Sequence, residues 1–471
     1  MSLSLVFTIL HHLRSCLHSI VSFVTGFTRN RHSQPSGLFF PLSTVQSLTF
    51  DNGVQVRIGK QIAEGGFSFV FEAVVVSDNG AALWSGDADM HADGKANSRN
   101  NTRKSRYALK RINCSDREVL QACRHEAGVH RSLPRHDNLM ELLGLKFERD
   151  DHFNHSRGNA TEEYNVCYML FPLVEKSLRG EINERHLLQD SRSATFSQRR
   201  AFSTKEILAM FAGILDGIST MHQYNISHRD LKIENILLRE RPTTYRDERH
   251  LSISAASARY TPILMDFGSA GPLSLQLNTR HAALSAIETA AQHTTLSYRP
   301  PELFEGGIRH DPMGKDVLDY GRVDVWSLGC VLFGMMHGCS PFEMEFVRTT
   351  DHRYDSNHMV DEIRIVECSQ LRVLGEVPYP PWASLRNSLE PNVVKDASIN
   401  GRYPLALYDF VRLMVCHDRR TRPDVKQVRA RFCELYLGLV GEPWRDEKGM
   451  LGKDMRGEDE FDSLIANREF V

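Results

Sequence analysis

The 471-residue sequence predicts an α+β protein built as two lobes. The first third carries short segments with period-two alternation, "VQVRIGKQIA" and "FSFVFEAVVV" among them, the pattern of half-buried strands. From Thr204 the pattern changes to wide helical stripes, beginning with "TKEILAMFAGILDGISTMHQYN". Composition agrees with a folded, water-facing chain: 41% hydrophobic, 25% charged, formal net charge −2. That balance argues against a general nucleic-acid binder. The nine cysteines include no C-x-x-C pair, and the 21 histidines no H-E-x-x-H spacing, so reduced thiols in a cytoplasmic setting are expected rather than a disulfide framework or a zinc module.

Taken in order, the chain divides at 37, 174 and 437. Residues 1–37 hold an amphipathic segment and a polar linker, "RNRHSQPSG". Within it, Leu3, Phe7, Leu10, Leu13, Leu17, Ile20, Val24 and Phe27 share one helical face. Three readings stand open: a helix lying on a membrane surface through residues 3–27, a cleaved targeting peptide, or a helix packed on the folded part. Ser2 stands where N-myristoylation requires glycine. Residues 38–174 form the strand-rich lobe, interrupted by a Gly/Asn/Asp/Ser-rich insertion at 77–106. Residues 175–437 form the helical lobe, with further insertions at 239–260 and a loop-rich stretch at 343–400; another polar insertion, 149–163, lies in the first lobe. Residues 438–471 read as an acidic tail.

Between the first two strands lies "QIAEGGFSFVFEA". Set against the phosphate-cradling pattern G-x-G-x-x-G, its positions are Ala63, Gly65 and Ser68. By itself such a stretch is more often a plain hairpin turn. The next strand, "YALKRI", presents Lys110 after the small Ala108, and Glu126 follows in a helical segment as a candidate ion-pair partner. The strongest signal is "HRDLKIENILL", which places Asp230, Lys232 and Asn235 in one tight loop. Phosphoryl transfer calls for those parts: a carboxylate for the hydroxyl proton, a cation for the transferred phosphate and a hard oxygen for Mg²⁺. "MDFGSA" adds a second hard oxygen at Asp266.

With these motifs the sequence resembles the eukaryotic protein kinase superfamily over about residues 55–437. The resemblance implies a bilobal protein kinase fold with ATP and Mg²⁺ as cofactors and protein substrates bearing Ser or Thr. It implies that Lys110 holds the α/β-phosphates and Glu126 fixes Lys110. Asp230 would be the catalytic base with Lys232 beside it, and Asn235 and Asp266 the metal ligands. Phe267 and Gly268 complete the Asp-Phe-Gly triplet that opens the activation segment, which closes at Glu302 in "SYRPPELF", where Pro300 replaces the usual alanine. Asp324 would brace the catalytic loop, Arg422 would pair with Glu302, and Arg229 would receive a phosphate placed on the segment. Thr279, Ser285, Thr289, Thr294 and Thr295 are the candidate hydroxyls. Adenine is expected among Ile62, Val70, Ala108 and Leu237, with Phe171 behind it and Pro172 and Val174 offering backbone groups. Gly65 and Gly66 would take the closest phosphate approach.

Lys232 and Thr295 match the serine/threonine pattern. The reduced glycine loop, "HEAGVH" and "TTLSYRPPELF" are similar to the numb-associated kinase family, toward its serine/threonine kinase 16-like members. That likeness implies a role in membrane traffic or Golgi and secretory regulation, with cytoplasmic or peripheral Golgi and endomembrane location. The competing reading is a membrane-tethered pseudokinase scaffold, suggested by the depleted glycine loop, Pro300 and the insertions.

Overall fold

The computed structural model describes residues 47–64, 68–77, 106–149, 166–188, 202–241, 259–308, 316–350, 359–375 and 403–441. Residues 3–27, Gly65, Gly66, the insertion at 149–163 apart from its first residue, and the tail from 442 lie outside the described residues.

The first lobe is one antiparallel sheet of six strands in the order β1-β2-β3-β4-β6-β5. These are β1 (Ser47–Thr49), β2 (Gln55–Glu64), β3 (Ser68–Ser77), β4 (Arg106–Asn113), β5 (Gly144–Glu148) and β6 (Val166–Pro172). Strand alternation turns Leu48, Val56, Phe71, Tyr107, Leu109, Tyr168 and Leu170 into one buried cluster. The opposite face buries Ile112, Cys167 and Met169 against α1 (Arg117–Ser132). Helix α1 starts where Asp116 accepts the Val119 N–H. The strands take both ends of the expected insertion, since β3 runs through Ser77 and β4 begins at Arg106.

The second lobe begins with β7 (Lys176–Ser177) and α2 (Leu178–Leu188), followed by α3 (Thr204–Gln223). A capping box between Ser203 and Glu206 starts α3. A Cβ on Gly213 would lie 2.8 Å from the Pro262 ring and 2.7 Å from Asn138 Nδ2, so only glycine lets α3 approach this closely. The catalytic motifs fall among β8 (Ile226–Ser227), β9 (Ile236–Glu240), β10 (Tyr260–Leu264), β11 (Gly271–Pro272) and β12 (Ser274–Gln276). Next come α4 (Arg280–His293), β13 (Val317–Asp319) and α5 (Tyr320–His337), whose Trp326, Phe333 and neighbours form the centre of the largest core with Phe211 and Phe432. The chain continues through β14 (Met344–Thr350), β15 (Met359–Ile365) and α6 (Gln370–Leu374) to α7 (Leu405–Met414) and α8 (Val425–Val440).

Two features depart from the sequence reading. The stretch expected to be loop-rich opens with the paired β14–β15 hairpin. The activation segment contains a 14-residue helix, α4, capped by Thr279. Among the described residues, no helix is long and apolar enough to cross a membrane.

Candidate active site

The loop between β8 and β9 is anchored by fully buried Leu231, Ile233 and Ile236, which alternate with its polar residues. The backbone is left-handed at Arg229 (φ 66°) and at Asp266 (φ 67°). Such conformations cost about 1–3 kcal/mol each and need compensation. At the first, buried Asp324 supplies it: its two carboxylate oxygens accept the His228 and Arg229 N–H groups, both at 2.8 Å, and His222 donates a third bond. The second is tied to the loop because Met265 N–H donates to the Asn235 carbonyl at 3.0 Å.

Asp230, Lys232 and Thr295 converge. Lys232 Nζ donates to Asp230 Oδ2 at 2.7 Å and to Thr295 Oγ1 at 2.9 Å, while Thr295 donates through N and Oγ1 to Asp230 Oδ1 at 3.2 and 3.0 Å. Burial opposes the charge on Lys232, but Asp230 and the Asp266 field outweigh it, raising the ammonium above its ordinary pKa. Asn235 donates to the Asp230 carbonyl at 2.8 Å, which leaves its Oδ1 buried with no hydrogen-bond partner.

That orphaned oxygen and the Asp266 carboxylate, on segments joined by the Met265–Asn235 hydrogen bond, are hard-oxygen donors of the kind Mg²⁺ takes. Among the described residues no larger His/Cys/Asp/Glu group could hold a metal. The residues therefore fit the ion that the sequence implies.

In the first lobe, Lys110 Nζ lies 2.9 and 3.0 Å from the two oxygens of Glu126 on α1. Burial would lower the Lys110 pKa; Glu126 and Asp266 more than reverse this and hold it charged. Sequence reasoning missed the two histidines that flank Glu126. His125 bonds the Ala270 carbonyl at 2.7 Å, and His130 bonds the Met140 carbonyl at 3.0 Å while lying between the rings of Phe171 and Phe267. The string "HEAGVH" showed the residue types but not these partners. Fully buried Phe267 also meets His228 edge-on, and Gly268 occupies the short turn after it.

Val174 and Leu237 share an apolar cluster with Met140 and Ile263, against which Phe171 and Met265 pack. Met140 and Ile263 carry no motif signal, and Met265 enters the motif "MDFGSA" only as the residue before Asp266. Ala108 is paired with Phe171, Pro172 with Tyr107, and Val70 with Lys110, while half-buried Ile62 and Ala63 lie on β2 near the loop. Ser68 opens β3.

Arg229 does not face the segment's hydroxyls. Its guanidinium lies 3.7 Å from the Tyr320 ring centroid and donates to the Pro272 carbonyl and the Ser227 hydroxyl. Arg229 thus holds the segment backbone directly at Pro272. Thr294 and Thr295 are likewise engaged: Thr294 donates to the Ala290 carbonyl and accepts from Arg299. Pro300 fits because its φ of −75° is proline's own. Behind it Glu302 and Arg422 form a buried two-bond pair at 2.6 and 3.0 Å.

A family model described as "Protein kinase domain" matches residues 94–432. The chain belongs to the protein kinase family. Among its relatives, serine/threonine-protein kinase 16 of Rattus norvegicus is 34% identical over 241 residues, 51% of this chain and 64% of the relative. The Homo sapiens protein of that name is 33% identical over the same shares. Serine/threonine-protein kinase sel-5 of Caenorhabditis elegans is 27% identical over 66% of this chain and 23% of its own length. The kinase thus spans less than two thirds of these curated relatives.

Proposed function

We propose that this kinase transfers the γ-phosphate of ATP to serine or threonine hydroxyls of protein substrates. The observation that carries the reading is the convergence of Lys232 and Thr295 on Asp230. Asp230 orients the incoming hydroxyl and accepts its proton. Lys232 neutralises charge beside the transferred group, and Thr295 fixes the carboxylate's orientation. Lys110, positioned by Glu126, holds the α/β-phosphates, and the apolar cluster around Leu237 and Val174 takes the adenine. Asn235 and Asp266 would hold Mg²⁺, which would supply charge neutralisation at the phosphates.

The test is labelled ATP with Mg²⁺ and purified full chain beside Asp230→Ala. Incorporation is expected only in the first; equal incorporation in both would overturn the reading. We further propose a role in membrane traffic at the cytoplasmic face of endomembranes, with residues 3–27 as the contact, on the strength of their apolar helical face. Removal of residues 1–28 is expected to release the protein from sedimenting membranes, and unchanged partitioning would exclude that contact.

A further inference from the structure

Around Asp230 the acidic and basic side chains are not equally satisfied. Glu234 is neutralised from within: its Oε1 accepts Nε and Nη2 of Arg179 at 2.9 and 2.7 Å, and its Oε2 is buried out of reach. Glu302 is held by Arg422, Asp324 by backbone amides and His222, and Asp230 by Lys232 and Thr295. Among the described residues these four carboxylates are already engaged, and Asp266 is the one assigned to Mg²⁺.

Arg299 is the opposite case. Its Nε donates to the Thr294 hydroxyl at 2.7 Å, and Nη2 to the carbonyls of Thr294 at 2.9 Å and Ala291 at 3.5 Å. The Phe304 ring lies 5.2 Å from its guanidinium carbon. Every one of these partners is neutral, and among the described residues no carboxylate forms an ion pair with Arg299 and Nη1 makes no hydrogen bond. Burial lowers its pKa, the fields of Asp230 and Cys368 oppose this, and an arginine stays charged. A partly desolvated guanidinium with no ion-pair partner is costly, and an anion arriving beside it offsets that cost.

Its place says which anion. Thr295 touches Asp230, and Arg299 grips the residue before it; the short turn Leu296–Tyr298 separates the two. A peptide that brought its hydroxyl to Asp230 would carry its neighbouring residues past this turn. We propose that Arg299 selects substrates carrying an aspartate or glutamate next to the phosphorylated serine or threonine. The proposal rests on the kinase reading above.

Peptides with one acceptor and with Asp, Ala or Lys placed singly at each of the two positions on either side provide the test, using the full chain. At one position kcat/KM is expected to favour Asp over Ala by about tenfold, mainly through KM, and to fall toward parity as salt rises. Arg299→Gln is expected to bring the Asp/Ala ratio within about twofold, and Arg299→Lys to keep part of it. Each ratio is internal to one protein, so a general loss of activity cancels. If Arg299→Gln proves unfolded on melting, Arg299→Lys and the wild-type salt series decide. A flat wild-type ratio at every position, or a ratio that survives Arg299→Gln, overturns the proposal. Failure of the wild type to label any peptide, with Asp230→Ala indistinguishable from it, counts against the kinase reading instead.

Discussion

Two ion pairs in this kinase are made of the same chemistry and set at different depths. Glu302 and Arg422 have side chains 3% and 0% exposed, and the guanidinium also lies 4.9 Å from the Trp326 ring and donates to the Cys416 carbonyl. Lys110 and Glu126 are 23% and 9% exposed, and the Lys110 charge is also held by Asp266 across the cleft. Breaking the first at Glu302 strands a fully buried guanidinium that cannot shed its charge; breaking the second at Lys110 strands Glu126, also buried but able to neutralise itself by taking up a proton. Depth and the chemistry of the stranded group therefore set the two pairs apart.

The largest effect expected from this difference is on activity. Lys110→Met should lower kcat/KM by about a thousandfold, through loss of the cation at the phosphates. Its melting temperature should stay within about 3 °C of wild type, because the buried Glu126 left behind can take up a proton. Glu302→Gln should do the reverse in kind: about 3–5 kcal/mol of stability lost, read as a fall in Tm of roughly 10 °C. Calorimetry on both variants checks the pair, and equal melting points would abolish the distinction. The Lys110 contribution should be insensitive to pH below about 10. A raised folded pKa keeps the contribution intact below the unfolded value and loses it only as pH climbs through the folded one.

The residues proposed for the chemical centre were legible because their types and spacing are those that phosphoryl transfer calls for. Asp230, Lys232, Asn235 and Asp266 lie in short motifs, and the backbone loops that carry them bring them together locally. What holds them was less legible. The pairing of Arg179 with Glu234 joins residues 55 apart, and no local pattern selects that arginine from its neighbours. His125 and His130 find backbone carbonyls on other elements, so their roles exist only after packing. Helix α4 did leave a signal, Thr279 capping an alanine-rich run, but its stripe is weak because only Ala283, Ala286 and Ala290 are buried. The seven-residue strands of the β14–β15 hairpin mix charge with apolar residues, which conceals period two.

A third pair extends the comparison toward solvent and carries the smallest effect. Asp216 on α3 accepts from Arg429 at 2.7 Å and lies 3.2 Å from His136, with its side chain 39% exposed. Burial would raise its pKa, but the hydrogen bonds and charges of His136 and Arg429 pull it from 3.8 down to about 2. A depressed folded value means that the stabilisation is present above the unfolded pKa, near 4, and is lost as pH falls toward 2. The shift taken at face value is worth about 2.4 kcal/mol, and solvent screening at this exposure reduces it to about 1 kcal/mol. Asp216→Asn should therefore lower the denaturation midpoint slightly at pH 6, and the gap from wild type should narrow between pH 4 and pH 3. A gap that is constant across that range would show that the carboxylate's charge contributes nothing there. A gap as large as that of Glu302→Gln would show that depth does not rank these pairs.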